Sequence, residues 1–426
     1  MSAKIAICLS FTVILLVGIG SVYSQEPIQI WRQCGESGAW FGSLIGNLGD
    51  INQDGFNDFV ASRHTSMGIF LGGNPPADTP SMIFGALSAD SAWISIIDKV
   101  GDINGDGWDD IAILYNYGSC DNYEGSKLRL YYGGAKFDTI PDITLNGRVE
   151  GRFGWNSFGI GDVNHDGYDD IAVFTYEGEW SKSKVNIFFG GNPMDENPDW
   201  KLDSLPNGFD LGTCIVGNMD LNNDGVDDFA ISGNTQPENE EFRLAYFVFY
   251  GGSHLDSIPG LGIETNAKTL ISQTLTGDFN GDSYSDFVVF GGRNQEPSVY
   301  LGSKIMDTKS DLVLEKPTTS ASDWGIWGKA IGDINHDGCD DIIAGFHERL
   351  DYMGLFLVYL GGKNMDGVPD FQWKSFMSSS SSGKDQTFCS DINGDGIDDI
   401  VFSDGQKKGC VVIQAGNKNL TNKQRH

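Results

Sequence analysis

Along most of the chain, short apolar runs alternate with segments rich in Asp, Asn and Gly. The runs that begin at Phe59, Ile171 and Ile342 are about five residues long and contain mostly β-branched or aromatic residues. They are too short for helices, and no helical stretch separates them. The pattern therefore predicts an all-β fold built from many short strands.

The polar segments are copies of one nine-residue pattern. Positions 1, 5 and 9 are Asp and position 3 is Asn in every copy, while position 6 is Gly except at Ser283. Seven copies recur at intervals of 52, 60, 58, 58, 55 and 58 residues. They begin at Asp50, Asp102, Asp162, Asp220, Asp278, Asp333 and Asp391, and positions below are counted from these residues.

Oxygen side chains on alternate residues of a tight loop are typical of a calcium site, because Ca²⁺ takes six to eight oxygen ligands. Glycine at position 6 allows a sharp turn, which places the backbone carbonyl of position 7 toward the ion. An empty loop would hold three carboxylates in mutual repulsion, so the metal is expected to contribute to folding. The alternative is a set of Asx turns at strand ends without metal.

The sequence thus predicts up to seven Ca²⁺ ions. The expected side-chain ligands are Asp50, Asn52, Asp54, Asp58, Asp102, Asn104, Asp106, Asp110, Asp162, Asn164, Asp166, Asp170, Asp220, Asn222, Asp224, Asp228, Asp278, Asn280, Asp282, Asp286, Asp333, Asn335, Asp337, Asp341, Asp391, Asn393, Asp395 and Asp399.

An EF-hand is excluded because it needs a Glu at loop position 12 and flanking helices. Position 12 is apolar in every copy, and a strand-like run follows each loop. The residues concerned are Ala61, Ile113, Val173, Ile231, Val289, Ala344 and Phe402.

Each unit also contains a short apolar segment before the loop and an aromatic or aliphatic strand after it that ends in glycine. A fourth strand can follow in several units, for example at Ile143, Leu312 or Asp370. Four strands in about 57 residues are typical of a propeller blade, and seven such units can close a ring. The predicted fold is a seven-bladed β-propeller with four-stranded blades.

The two ends of the chain predict how the ring closes. The seventh unit lacks a fourth strand after Gly416, while residues 27–32 resemble a fourth strand without a blade. We therefore expect the N-terminal strand to complete the last blade, since a propeller needs closed edges. This gives a propeller over residues 25–416 and a polar tail over 417–426.

Residues 1–24 have the features of a secretory signal peptide. Lys4 precedes an apolar run from Ile5 to Ile19, and small residues lie before a cleavage point at Gln25. The alternative, a membrane anchor, needs about 20 apolar residues, and no later segment is long and apolar enough to span a bilayer. The mature protein is expected to be secreted or displayed at the cell surface, and monomeric.

Composition changes this picture in two respects. The formal charge is −31, from 59 acidic and 28 basic residues, which argues against nucleic acid as a partner. Loss of Lys4 with the leader makes the charge −32, and seven Ca²⁺ would bring it to −18. Six cysteines remain after the leader, and their pairing is left open, with buried free thiols an equal possibility.

With Phe41-Gly42 and Phe158-Gly159 before the loops, the Asp-x-Asn-x-Asp-Gly-x-x-Asp pattern and Gly-Gly after the third strand, residues 27–416 resemble the FG-GAP family. This family includes the repeats of integrin α-subunit heads and bacterial repeats also described as VCBS-like. The resemblance implies that each loop joins the first two strands of a blade and binds Ca²⁺ through positions 1, 3, 5 and 9 and the position-7 carbonyl. The Phe-Gly pair is altered at Trp93-Ile94 and Ser272-Gln273, which weakens the blade boundaries there.

The resemblance implies a calcium-dependent adhesion or ligand-binding module whose partner is an extracellular protein or glycan. Ligand is expected on the face opposite the loops, where aromatic rings could stack on sugars, unless they pack between blades. The candidate rings are Trp40, Trp93, Phe153, Trp155, Trp180, Trp324 and Trp327.

No catalytic motif is present, so we expect no enzyme. A carbohydrate-active lyase or hydrolase remains an alternative, with Glu150, Glu179 or Glu240 as possible carboxylates. A structural spacer of a longer surface protein is a third interpretation.

Overall fold

A computed structural model describes most of the chain. The described residues are 28–36, 41–63, 66–85, 93–118, 123–135, 137–147, 151–177, 183–235, 242–265, 273–290, 296–315, 326–347, 353–378, 387–403 and 409–420. Within them the only helical segment is a single 3-10 turn, Pro206–Gly208. The all-β prediction is confirmed.

The strands form seven four-stranded antiparallel sheets, one for each repeat. Blades one to three contain β2 (Ile45–Gly49), β3 (Asp58–Arg63), β4 (Ser66–Phe70) and β5 (Met82–Phe84); β6 (Trp93–Gly101), β7 (Asp110–Gly118), β8 (Tyr123–Tyr131) and β9 (Ile143–Asn146); and β10 (Gly151–Gly161), β11 (Asp170–Glu177), β12 (Ser183–Phe188) and β13 (Trp200–Leu202). Blades four to six contain β14 (Asp210–Met219), β15 (Asp228–Thr235), β16 (Arg243–Phe249) and β17 (Leu261–Thr265); β18 (Gln273–Gly277), β19 (Asp286–Phe290), β20 (Ser298–Tyr300) and β21 (Leu312–Val313); and β22 (Ile326–Gly332), β23 (Asp341–His347), β24 (Met353–Tyr359) and β25 (Phe371–Ser378).

The seventh blade is assembled from both ends of the chain. It contains β26 (Thr387–Ser390), β27 (Asp399–Ser403) and β28 (Cys410–Ala415), and its fourth strand is β1 (Ile28–Cys34). Strand β1 pairs antiparallel with β28, with Cys34 opposite Cys410. The predicted closure by the N-terminal strand is confirmed. The chain continues to pack beyond Gly416, because Leu420 is buried against blades six and seven.

The hydrophobic core is divided into seven clusters, each between two neighbouring blades. The cluster that closes the ring joins Trp31 and Val411 of blade seven to Phe59 and Phe70 of blade one. Trp31 contacts both phenylalanines edge-on, and the two phenylalanines stack at 5.2 Å between ring centroids. Because each blade is apolar on both faces, burial between blades holds the ring together.

The first strands of neighbouring blades contact one another in turn, so they surround the centre of the ring. The described part of the chain contains no helix long and apolar enough to cross a bilayer.

Candidate metal centres

All seven nine-residue loops join the first strand of a blade to its second strand. Position 2 of each loop is an apolar residue that is at most 1% exposed, which anchors the loop in the core. Positions 4 and 6 have positive φ in every copy, including Ser283 at +72°. Glycine at position 6 therefore meets a conformational requirement of the backbone, since other residues rarely adopt this region.

The Asp at position 1 organises each loop through its side chain. In the third loop, Asp162 Oδ1 accepts the backbone N–H of Asp166 at 3.0 Å and Oδ2 accepts that of Gly167 at 2.8 Å. Asp166 Oδ1 then accepts the N–H of Tyr168 at 3.1 Å. The same three hydrogen bonds occur in the other six loops.

These are Asx-type turns, as the metal-free interpretation requires. They are also compatible with a metal, because an ionised carboxylate has about four lone-pair sites and uses only part of them here. The fifth loop keeps the full set despite its serine, since the N–H of Ser283 donates to Asp278 Oδ2 at 2.8 Å.

The Asp at position 9 is fully buried in all seven loops. Its Oδ1 accepts the N–H of the first glycine after the third strand, as Gly190 donates to Asp170 at 2.9 Å. A Cβ at that glycine would collide with the backbone carbonyl of position 8 in the same blade, which explains why glycine ends the third strand. The sequence showed that a glycine ends the third strand, but it did not reveal that this glycine donates to the position-9 carboxylate. The seven donors are Gly72, Gly133, Gly190, Gly251, Gly302, Gly361 and Gly416.

Burial raises the pKa of every position-9 carboxyl, and the charges at positions 1 and 5 raise it further. The pKa rises to about 7 for Asp58, Asp228, Asp286 and Asp399. It rises to about 8 for Asp110, Asp170 and Asp341. Each loop therefore holds a carboxyl whose ionised form needs a nearby positive charge.

Three buried oxygens in these loops accept no hydrogen bond from the described residues: Asp58 Oδ2, Asn104 Oδ1 and Asn393 Oδ1. They occupy positions 9, 3 and 3, all expected ligand positions. A buried acceptor without a donor is costly, and a cation would satisfy it. The donor set of carboxylate, amide and carbonyl oxygens therefore fits Ca²⁺.

The three Asp positions of each loop differ in exposure. Position 5 is exposed, position 1 is partly buried and position 9 is buried. Within the described residues, no three His, Cys, Asp or Glu side chains come together as a group that could hold a metal. The loops therefore place the predicted ligands in one turn, but the acids alone do not form a complete site.

The other predicted features of the opposite face are not described by the structure. Trp40, Trp180 and Trp324 lie outside the described residues, as do Glu150, Glu179 and Glu240. Trp93, Phe153, Trp155 and Trp327 lie in β6, β10, β10 and β22, but the described part of the structure excludes their side chains.

A disulfide joins Cys34 of β1 to Cys410 of β28, residues that are 376 apart in sequence. It covalently links the two strands that close the ring. Cys339 and Cys389 are outside disulfides, and Cys120 lies outside the described residues. The wide separation of the pair explains why spacing could not predict it.

Residues 102–173, which contain the second and third loops, match the family model described as FG-GAP-like repeat. These are FG-GAP-like repeats. The resemblance seen in the sequence is thus confirmed.

Among known proteins, the chain is 36% identical over 137 residues to integrin alpha-6 of Gallus gallus. It is 33% identical over 143 residues to integrin alpha-IIb of Mus musculus. The matched segments cover 31% of this chain but only 12% and 14% of those integrins.

A crystal structure described as BBS1N in complex with ARL6DN has the same fold, with a TM-score of 0.54 at 10% identity over 93% of this chain and 98% of that one.

Proposed function

We propose that this protein is a secreted or surface-displayed β-propeller that binds an extracellular protein or glycan, with calcium stabilising its seven FG-GAP-like loops. The observation that carries the calcium assignment is the same all-oxygen ligand set at the same point of every blade. In the first, second and seventh loops, one buried oxygen at position 9 or 3 also accepts no hydrogen bond from the described residues. The similarity to integrin α-subunits supports a binding role.

The expected ligands in each loop are the side chains at positions 1, 3, 5 and 9 and the carbonyl of position 7. Bound Ca²⁺ would supply the positive charge that offsets repulsion between the three carboxylates. The position-9 carboxylate also accepts the N–H of the third-strand glycine. A loop held in this way fixes the first three strands of its blade relative to one another.

Export is supported by two features. Residues 1–24 have the composition of a signal peptide. The disulfide between Cys34 and Cys410 is of the kind that persists in an oxidising compartment. These features support the proposal that the mature protein lies outside the cytoplasm.

Calorimetric titration of Ca²⁺ into chelator-stripped mature protein tests the metal assignment. We expect up to seven sites, and fewer than about four would contradict the assignment of the loops. Asp228→Asn should weaken one site, because it removes the negative charge of a buried ligand of the fourth loop. Asp195→Asn, an exposed acid outside the loops, is the matched control and should leave the count unchanged.

The binding role needs a separate experiment. A glycan and protein array probed with the calcium-loaded mature protein should identify a ligand whose binding depends on calcium. Release of reducing sugar from a polysaccharide panel would instead favour the carbohydrate-active alternative.

A further inference from the structure

Position 8 of each loop, which is not among the expected ligands, lies at the boundary with the preceding blade. In five interfaces its side chain accepts the backbone N–H of the position-1 Asp in that blade. Asp102 donates to Asp169 Oδ2 at 2.7 Å. The others are Asp162 to Asp227 at 3.0 Å, Asp220 to Ser285 Oγ at 3.0 Å, Asp278 to Asp340 at 2.8 Å and Asp333 to Asp398 at 3.1 Å.

The main-chain N–H of position 8 also donates a hydrogen bond to the carbonyl of position 1. The N–H of Asp169 donates to the carbonyl of Asp102 at 3.1 Å, and equivalent bonds occur from Ser285, Asp340, Asp398 and Asn57. The bond from Asn57 reaches Asp391, so it joins blades seven and one. In four interfaces, those of Asp102, Asp220, Asp278 and Asp333, both backbone atoms of position 1 are therefore held by the next blade, while its carboxylate caps its own loop.

The residue before each loop varies with the residue type at position 8 of the next blade. Where position 8 of the next blade is Asp, the preceding residue is glycine, and a Cβ there would collide with or crowd that carboxylate. The pairs are Gly49 with Asp109, Gly101 with Asp169, Gly161 with Asp227, Gly277 with Asp340 and Gly332 with Asp398. In the two remaining interfaces, Met219 and Ser390 replace the glycine, and Ser285 and Asn57 replace the Asp.

The interface between blades one and two differs from the five described above. Between blades one and two, Asp109 Oδ2 accepts Lys99 Nζ at 2.9 Å, and Lys99 lies in the same blade as Asp109. Its carboxylate is thus engaged within its own blade.

We propose that the position-8 side chain is a positioning residue for the metal loop of the preceding blade, so that each blade tunes the calcium affinity of its neighbour. This inference rests on the proposed calcium function. A charge-assisted hydrogen bond to the position-1 N–H fixes the main chain from which the first ligand projects. Its loss lets the loop relax before the metal binds, and affinity falls because the site is no longer preorganised.

Trp108 gives an optical signal for the second loop. It is the only tryptophan at position 7 of a loop, and the position-7 carbonyl is an expected ligand. Terbium, a hard cation that also takes oxygen ligands, can be sensitised by this ring under tryptophan-selective excitation. The signal reports the second loop, whose position-1 residue Asp102 is held by Asp169.

The experiment is a titration of Tb³⁺ into full-length mature protein stripped of metal, with Ca²⁺ displacement. Asp169→Ala should weaken Trp108-sensitised binding about tenfold, since it removes a hydrogen bond to a charged acceptor. Asp169→Asn keeps an acceptor and should restore most of the affinity. Asp227→Ala, the same change one blade further on, should leave the Trp108 signal unchanged. Trp108→Phe should abolish the signal and identifies its source.

Equal losses in the Ala and Asn variants would overturn the inference, because the effect would then be one of charge alone. So would an equal loss from Asp227→Ala. A wild-type protein without a Ca²⁺-displaceable Trp108 signal would instead overturn the proposed calcium function itself. If Asp169→Ala does not fold, Asp398→Ala tests the same relation between blades six and seven. Calorimetric titration of this variant should show that one Ca²⁺ site is weakened. An unchanged affinity at all sites would contradict the inference.

Discussion

At the scale of the residue, Ser283 is the exception at position 6. It adopts φ of +72°, where the other six loops have glycine. An L-residue in this region is strained, so Ser283→Gly should stabilise the protein by about 1 kcal/mol. Urea denaturation of the calcium-loaded protein measures the effect.

Gly225→Ser is the matched control, because Gly225 occupies the same position at φ of +85° and a Cβ there would meet no atom within 4 Å. It should destabilise by a similar amount. A destabilising Ser283→Gly would show that the hydroxyl group contributes more than the backbone strain costs.

Asp98 is an acid that the metal loops do not explain. It lies in β6, and its carboxylate accepts the backbone N–H groups of Lys99 and of Gly159 in the next blade. Part of the residue reaches solvent, but desolvation of the carboxylate raises its pKa to about 7, while these hydrogen bonds and Lys99 lower it.

This pKa gives a pH dependence of stability. A carboxyl with a folded-state pKa above its unfolded value of about 3.9 contributes stability at low pH that is lost as the pH rises through 7. In saturating calcium, the wild type should therefore lose up to about 4 kcal/mol more than Asp98→Asn between pH 4 and 8. Chemical denaturation at several pH values measures the difference. Parallel curves for the two proteins would show that Asp98 does not titrate in this range.

At the scale of the element, strand β1 is the part of the fold that closes the ring. Its Trp31 packs on blade one and donates from Nε1 to Asp78 Oδ1 at 3.1 Å. Its Cys34 is bonded to Cys410 of the last strand. The middle of β1 is thus fixed by packing and its C-terminal end covalently.

Loss of this disulfide should destabilise the protein, because the unfolded chain is no longer constrained by a covalent link between its two ends. We expect the Cys34→Ser, Cys410→Ser double variant to lose about 2–5 kcal/mol, measured by guanidinium denaturation in saturating calcium. Cys339→Ser is the control, because Cys339 is outside a disulfide and should change stability little. An unchanged midpoint in the double variant would mean that packing of Trp31 alone closes the ring.

The same elements show what could be predicted from sequence. The seven loops and the strands around them follow from local spacing, because Asp50 to Asp58 determine their own turn. The closure by β1 followed from a missing fourth strand at the other end. The pairing of Cys34 with Cys410 and the contact of Asp169 with Asp102 could not be predicted, because ring closure and blade packing bring those residues together.

At the scale of the whole molecule, acidic residues outnumber basic residues by 59 to 28, and 21 of the acids are the aspartates at positions 1, 5 and 9 of the loops. Seven loops at one end of the ring concentrate this charge. Each loop also joins neighbouring blades, as the N–H of Gly191 donates to the carbonyl of Ile103 at 2.7 Å. Repulsion within the loops should therefore weaken the ring as a whole, not single blades.

Removal of calcium should consequently lower the melting temperature most at low ionic strength. The Debye length is about 30 Å at 0.01 M salt and about 10 Å at 0.1 M, so added NaCl screens the repulsion between loops. We expect differential scanning calorimetry with EDTA to show a melting temperature that rises with NaCl. The calcium-loaded protein should change far less, because each Ca²⁺ offsets two of the three carboxylate charges in its loop. Mg²⁺ should replace Ca²⁺ poorly, since it demands stricter octahedral geometry. Identical melting temperatures with and without EDTA at every salt concentration would contradict a metal in the loops, and the Asx turns alone would then hold them.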